Sequence, residues 1–408
     1  MKKYLSESSP ISSNERIISL DIIRGFALFG ILLVNMPLFQ TPKLVEELYM
    51  ISPELSGIDQ FARIILDVFV ETKFFAIFSI LFGIGFYIFM QRAEEKSAFY
   101  YRLYSRRLIA LGVFGFLHLF FFWYGDILLR YALAGFFLIF FYKRKEKTIF
   151  IWILSFVCLL FGLLLFSFFS STEAMEQQIS ILQMEGASKV VEAIDIYNNG
   201  SYTEWLSYRF TDEVIPVLIN MPFSIITPLF YFLIGLYIAK KGILTDFHTH
   251  KQFVKRVWLI SLLVSIPLSV GIILFHLNVI DVGMLNDQIV EVLLLASGLS
   301  LSFFYIATIF LLLEKEKWKR ILHPFHYVGK MALTNYIMQT FIGVGIFTGL
   351  GLFGELHVWL GIVISFLVFP LQILFSYLWL QYFRFGPLEW IWRSITYGQL
   401  QSIRINKS

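Results

Sequence analysis

The chain has 408 residues, of which 58% are hydrophobic, 18% aromatic and only 15% charged, with 46 phenylalanines. Soluble domains carry about 25% charged residues, so this composition excludes a water-soluble enzyme and a disordered protein and leaves a multipass membrane protein. The net charge of +4 decides little, because in such a chain the placement of basic residues matters more than their sum, and it gives no reason to expect nucleic acid as a partner.

Residues 1–16 are polar and contain SESSPISSNER, without the short apolar core and small-residue cleavage site of a secretory signal. They are expected to form a cytoplasmic N-terminal segment, with the first apolar run kept as a helix. A spanning helix takes about 20 mostly apolar residues. Ten runs meet that need, at 17–39, 73–90, 103–123, 127–142, 148–169, 214–239, 257–277, 288–313, 325–350 and 356–383, the fourth being short. The expected fold is all-α: one polytopic membrane helix bundle of about ten transmembrane helices over 17–383, with interfacial helices and an outer acidic helical loop. A cytoplasmic interfacial helix and tail follow over 384–408. The single cysteine, Cys158, lies in the fifth run, which excludes an intrachain disulfide and a cysteine-based metal site.

Basic residues fall in alternate connections. Arg92, Lys96, Arg102, Arg106 and Arg107 separate the second and third runs, Lys143, Arg144, Lys145 and Lys147 follow the fourth, Lys240 and Lys241 the sixth, Lys315, Lys317, Lys319 and Arg320 the eighth, and Arg384 and Arg393 the tenth. The intervening connections hold only Lys43, Arg63, Lys189 and Arg209. The positive-inside rule therefore predicts an even number of spans with both termini in the cytoplasm. The longest connection, 170–213, is acidic and patterned as an amphipathic helix broken near Gly186; it reads either as a solvated cap or as a substrate lid. Residues 58–70 read as an interfacial helix with Phe61, Ile65 and Val68 on one face and Asp59, Arg63 and Asp67 off it. No long internal repeat marks a two-halved transporter, and no Pro-broken span is expected.

Ionisable groups inside spans cost about 2.5–3.5 kcal/mol, so function is sought there first. In the first run, Asp21, Arg24 and Asn35 fall on one helical stripe, a polar seam from one side of the membrane to the other; alternatively Asp21 and Arg24 simply neutralise each other. In the third run, Arg102, Arg106 and Arg107 at the inner edge either anchor the span or hold phosphate groups, which guanidinium binds bidentately. His118 lies eleven residues beyond Arg107, about 16 Å deeper at 1.5 Å per residue. It is either an interhelical hydrogen-bonding group or a general base. Asp126 and Arg130, four apart, are expected to pair, which places a carboxylate close to His118. Glu71 and Lys73 belong to the same mouth or snorkel to the interface. Asn335 and Gln339 in the ninth run suit interhelical hydrogen bonding, and PLEWIWRS, with Glu389 and Arg393, reads as a helix held at the interface by its tryptophans. His248 and His250, in an exposed loop without acids or cysteine, make a weak metal site, and no metal is expected.

The segments LDIIRGFALFGILLVNM, FFAIFSILFGIGF, RRLIALGVFGFLH with YGDILLRYAL, GKMALTNYIMQT and GPLEWIWRSITYG resemble the successive signature blocks of the YeiB-like family of bacterial multipass membrane proteins, in that family's order and over nearly the whole chain. The family is grouped with transmembrane acyltransferases, including the lysosomal heparan glucosaminide N-acetyltransferase and the O-acetylases of cell-surface sugars. The resemblance implies transfer of an acyl group from cytoplasmic acyl-CoA to an acceptor across or within the bacterial plasma membrane. The O-acetylases are similar at Leu20, Asp21 and Arg24, but where they carry a first-span histidine this chain has Asn35, which cannot act as a base. The resulting expectation is an acyltransferase in which Arg102, Arg106 and Arg107 hold acyl-CoA phosphates and Asp21 and Arg24 line the inner vestibule. His118 is the base, Asp126 orients it and Asn35 bonds the acyl carbonyl. A transporter or exporter using the same seam is the alternative, and a structural or sensory membrane protein a third reading. The lipid bilayer is the partner expected; acceptor and oligomeric state are not legible.

Overall fold

The computed structural model describes residues 18–53, 55–96, 99–170, 173–243 and 247–405, so the N-terminal segment 1–16 lies outside the described residues. In lipid every backbone polar group must be satisfied within the chain, and the apolar runs accordingly fold as helices. The first half contains α1 (Ile18–Gln40), α2 (Lys43–Leu48), α3 (Gly57–Phe69), α4 (Lys73–Lys96), α5 (Tyr100–Phe121), α6 (Leu128–Ile139) and α7 (Glu146–Ser170). Beyond them come α8 (Glu173–Asn199), α9 (Tyr202–Tyr208), α10 (Ile215–Ser224) and α11 (Ile226–Lys240). The remainder is α12 (Phe247–His276), α13 (Asn286–Leu312), α14 (Glu316–Lys330), α15 (Ala332–Phe347), α16 (Val358–Tyr382) and α17 (Pro387–Tyr397). Among the described residues the only β feature is an isolated bridge between Phe383 and Arg404 that pins the tail.

Six helices are long and apolar enough to cross a membrane among the described residues, or seven if the bent pair ending in α11 is one span. With α7 and the shorter apolar helices α6 and α15, each of the ten apolar runs is helical. The molecule is a helical membrane protein.

Helix α1 is the central staff, packed against α4, α14, α15 and α16, with most of its side chains buried. Its closest neighbour is α14, and the reason is local. Gly25 faces the Phe325 carbonyl and Gly329 faces the Asp21 carbonyl, so closely that a Cβ on Gly329 would stand 1.9 Å from that oxygen. Small residues let two backbones approach where no apolar side chain would fit.

Several elements depart from their sequence reading. The run 325–350 is not one span. It breaks at Met331, and α15 restarts with the Glu389 carboxylate of α17 accepting from the N–H groups of Leu333 (2.7 Å) and Thr334 (3.0 Å). Orphan N–H groups at a buried helix start cost about 1–3 kcal/mol each, so this distant carboxylate is what permits the break. The sixth run is bent by 42° between α10 and α11. Pro228 has no N–H to give to the Ser224 carbonyl, which accounts for the bend. In the acidic connection, α8 runs unbroken through Gly186, whose missing Cβ instead lets Tyr49 pack against it. On α3 the expected apolar face divides, with Phe61 exposed and Val68 buried, while Asp67, expected off that face, is buried among Arg63 (3.0 Å) and His276 (2.7 Å). Lys73 does not snorkel either; it is fully buried and donates to the Asp67 carbonyl at 2.5 Å.

Candidate functional site

Between α1, α4, α5, α6, α15 and α17 lies a cavity of about 250 Å³. At the end of the bundle that carries the basic connections it is lined by Arg24, Arg92, Arg107, Lys330 and Arg393, with Asp21 and Glu389 as the acids. Both carboxylates are engaged. Asp21 accepts from Arg24 Nη1 at 2.6 Å and faces His326 Nδ1 at 3.6 Å. Glu389 caps α15 and accepts from the Thr334 hydroxyl at 2.6 Å. Burial pushes its carboxyl above the usual range, against the pull of those hydrogen bonds. The mouth therefore keeps an excess of positive charge. Arg107 matters most in it. Its guanidinium lies over the Trp392 ring at 3.7 Å and over the Phe89 ring at 5.1 Å, and among the described residues no carboxylate is within ion-pair distance of it. A guanidinium lying over aromatic rings, with no acid on its N–H groups, has the chemistry to take an anion.

The three arginines grouped from sequence are separated by the fold. Arg107 lines the cavity, Arg102 points outward, and Arg106 lies against Gly398 at the end of α17. Arg92, Lys330 and Arg393 take the places expected for Arg102 and Arg106.

Deeper in, the walls are Phe78, Leu81, Phe82 and Leu128, and the cavity ends at Ile127, Tyr131 and Tyr336. Tyr131 is tied to Ser79 by a hydroxyl pair at 2.6 Å. Tyr336 is held only by long bonds, accepting from Ile127 N–H and donating to the Gly125 carbonyl, both at 3.3 Å.

Directly behind Tyr336, with ring centroids 5.3 Å apart, sits His118, 1% exposed. Its Nδ1 is 2.9 Å from Asp126 Oδ1 and its Nε2 is 2.9 Å from Thr340 Oγ1. A carboxylate only accepts, so Nδ1 carries the proton, Nε2 presents its lone pair and the Thr340 hydroxyl donates to it. Asp126 is held in turn, since its Oδ2 accepts from Leu129 N–H at 2.7 Å at the start of α6. The expected Asp126–Arg130 pair is absent among the described residues; Arg130 Nε is buried without a partner, because Asp126 is committed to His118 and to the helix start. The far end of α5 is fixed by Arg209, which is fully buried against Glu213 (2.9 Å) and donates to the Leu119 carbonyl at 2.9 Å.

Asp21 and Arg24 thus line the cavity, and Asp126 stands on His118, as grouped from sequence. Asn35 does not join either set. It is buried away from the cavity, and Leu28 and Leu32 between it and Arg24 pack into the core, interrupting the seam. Asn335 and Gln339 bond to Ser376 (2.9 Å) and Gln372 (3.0 Å), holding α15 to α16. Tyr336 and Thr340, four apart on the adjacent face of GKMALTNYIMQT, carry no charge or periodicity that marks them in the sequence. Among the described residues no group of three His, Cys, Asp or Glu side chains could hold a metal ion.

A family model described as a protein of unknown function (DUF418) matches residues 238–399. The chain is 36% identical over 417 positions to the uncharacterized protein YxaH of Bacillus subtilis, covering 98% of each chain. It belongs to the YeiB-like family. The uncharacterized protein YeiB of Escherichia coli is 28% identical over 405 positions (94% of this chain, 96% of that one). A 39.9 kDa protein encoded beside an amylase in Bacillus acidopullulyticus is 32% identical over 404 positions (98% of this chain, 99% of that one). No solved structure matches. The matched stretch 238–399 holds Lys330, Tyr336, Thr340 and Glu389, one side of the cavity and of the histidine cluster, while His118 and Arg107 lie outside it.

Proposed function

We propose that the protein is a transmembrane acyltransferase that takes an acyl group from acyl-CoA at the basic end of the bundle and passes it to a small-molecule or cell-envelope acceptor. The observation that carries this reading is the continuity of the cavity from Arg107 to Tyr336, the residue packed on His118. A cationic mouth suits the donor's phosphates, and the apolar depth suits the thioester end of its arm. Arg107 and His118 are about 16 Å apart along α5, a distance that a pantetheine arm covers. Arg24, Arg92, Lys330 and Arg393 add positive potential around the phosphates, and Asp21 keeps Arg24 oriented. His118, its tautomer set by Asp126, serves as the general base, with its Nε2 lone pair turned away from the carboxylate. In this reading the basic end faces the cytoplasm, as the positive-inside rule favours, with both termini on that side of a bacterial plasma membrane.

The test uses the purified protein in lipid nanodiscs and acetyl-CoA. Saturable binding that weakens with salt, slow thioester cleavage, and at least a tenfold loss of affinity in Arg107→Gln are expected. Binding without cleavage, together with solute flux in proteoliposomes, would favour an exporter. Absence of binding would remove the acyl-CoA reading altogether.

A further inference from the structure

Buried hydroxyls on the spanning helices mostly bond back along their own backbone, as Ser265 does to the Ser261 carbonyl (2.6 Å), Ser300 to that of Ser297 (3.2 Å) and Ser365 to that of Gly361 (2.8 Å). Thr340 does not. Its hydroxyl, 1% exposed, meets His118 Nε2, which the Asp126 bond leaves as an acceptor. Carboxylate, imidazole and hydroxyl thus stand in line, each link 2.9 Å long, with the carboxylate pinned by a helix N–H. This is the order in which a base oriented by an acid activates a nucleophile.

Resting on the acyltransferase reading, we propose that Thr340 is the nucleophile of a covalent acyl-enzyme. Thr340 is one helical turn beyond Tyr336, so the side chain that closes the cavity is also the one that separates it from the hydroxyl. Rotation of that buried ring would break its two 3.3 Å bonds to the 125–127 segment and shift its packing on His118. In the first step Thr340 Oγ1 forms a bond to the thioester carbonyl carbon and its proton passes to His118 Nε2. The carbon–sulfur bond then breaks, and the sulfur leaves as the free thiol with the proton from Nε2. An acceptor hydroxyl or amine next attacks the threonine ester; His118 takes its proton and returns it to Oγ1 as the ester bond breaks. The indole N–H of Trp123, whose ring centroid is 6.4 Å from that of His118, is buried without an acceptor and is the nearby donor for the negative charge that develops on the carbonyl oxygen.

The experiment incubates full-length protein in nanodiscs with radiolabelled acetyl-CoA and no acceptor, then denatures it and locates the label by peptide mass spectrometry. One acetyl group on the peptide containing Thr340, released by hydroxylamine, is the expected result. Thr340→Ser should keep the label, while Thr340→Ala and His118→Ala should reduce it at least tenfold yet still bind acetyl-CoA at the basic mouth, which shows that they are folded. Thioester cleavage at the wild-type rate in Thr340→Ala, or cleavage by the wild type with no label on that peptide, overturns the covalent step and leaves the acyltransferase standing. No binding and no cleavage by the wild type overturns both.

Discussion

Replacing Asp126 by alanine removes the acceptor for two N–H groups, the buried His118 Nδ1 at 2.9 Å and the part-buried Leu129 N at 2.7 Å. Hydrogen bonds to charged groups are worth about 1.5–3 kcal/mol, so the lower figure for each bond gives a loss of about 3 kcal/mol, a factor of more than a hundred in the folding equilibrium. Asparagine behaves differently. Its oxygen can still accept from Leu129, but its amide can donate to Nδ1 and reverse the tautomer, which moves the imidazole proton to Nε2 and turns the Thr340 hydroxyl into an acceptor. Asp126→Asn is therefore expected to melt within about 1 kcal/mol of the wild type, yet to lose acyl-group turnover by about a thousandfold to ten-thousandfold, as the wrong tautomer does in serine proteases. Thermal unfolding in nanodiscs supplies the first quantity and thioester cleavage the second. Wild-type turnover in Asp126→Asn, or wild-type stability in Asp126→Ala, would refute the relay.

At the α1–α14 crossing, Gly329→Leu should abolish recovery of monodisperse protein, because its Cβ alone would sit 1.9 Å from the Asp21 carbonyl. Gly345→Ala, whose Cβ meets nothing within 4 Å, should be recovered like the wild type on size-exclusion chromatography. The Glu389 carboxyl has its folded-state pKa raised by burial. Its contribution to stability is therefore unfavourable once ionised: the penalty is absent below the unfolded value near pH ~4.3, grows between that value and the raised folded one, and is constant above it. Glu389→Gln, which keeps an oxygen to accept from the start of α15 but carries no charge, should flatten that decline when unfolding is followed across this range; an unchanged pH profile would argue against a buried charge there.

What could be read along the chain was whatever depends on the bilayer as solvent. Ten apolar runs, their alternation with basic connections, the engagement of Asp21 with Arg24 and the nearness of Asp126 to His118 follow from local spacing and from the cost of exposing polar groups to lipid. The breaks between helices were less legible. Pro228 alone does not announce the bend between α10 and α11, and Gly186 reads as a breaker in the sequence but serves a close contact with Tyr49 in the fold.

The site itself was decided by tertiary structure. Thr340 reaches His118 across 222 positions of sequence, and Glu389 caps a helix start 55 positions before it. No periodicity connects such pairs, because each is defined by which helix faces happen to meet. Sequence determined that charges must lie at one end of the bundle and that a few polar groups must be buried. Packing around α1 determined which arginine keeps an unspent guanidinium, where the space between helices remains open, and which hydroxyl is turned towards the imidazole. The physical difference is that solvent preference acts on each residue separately, whereas a cavity and a proton relay exist only between surfaces brought together by the fold.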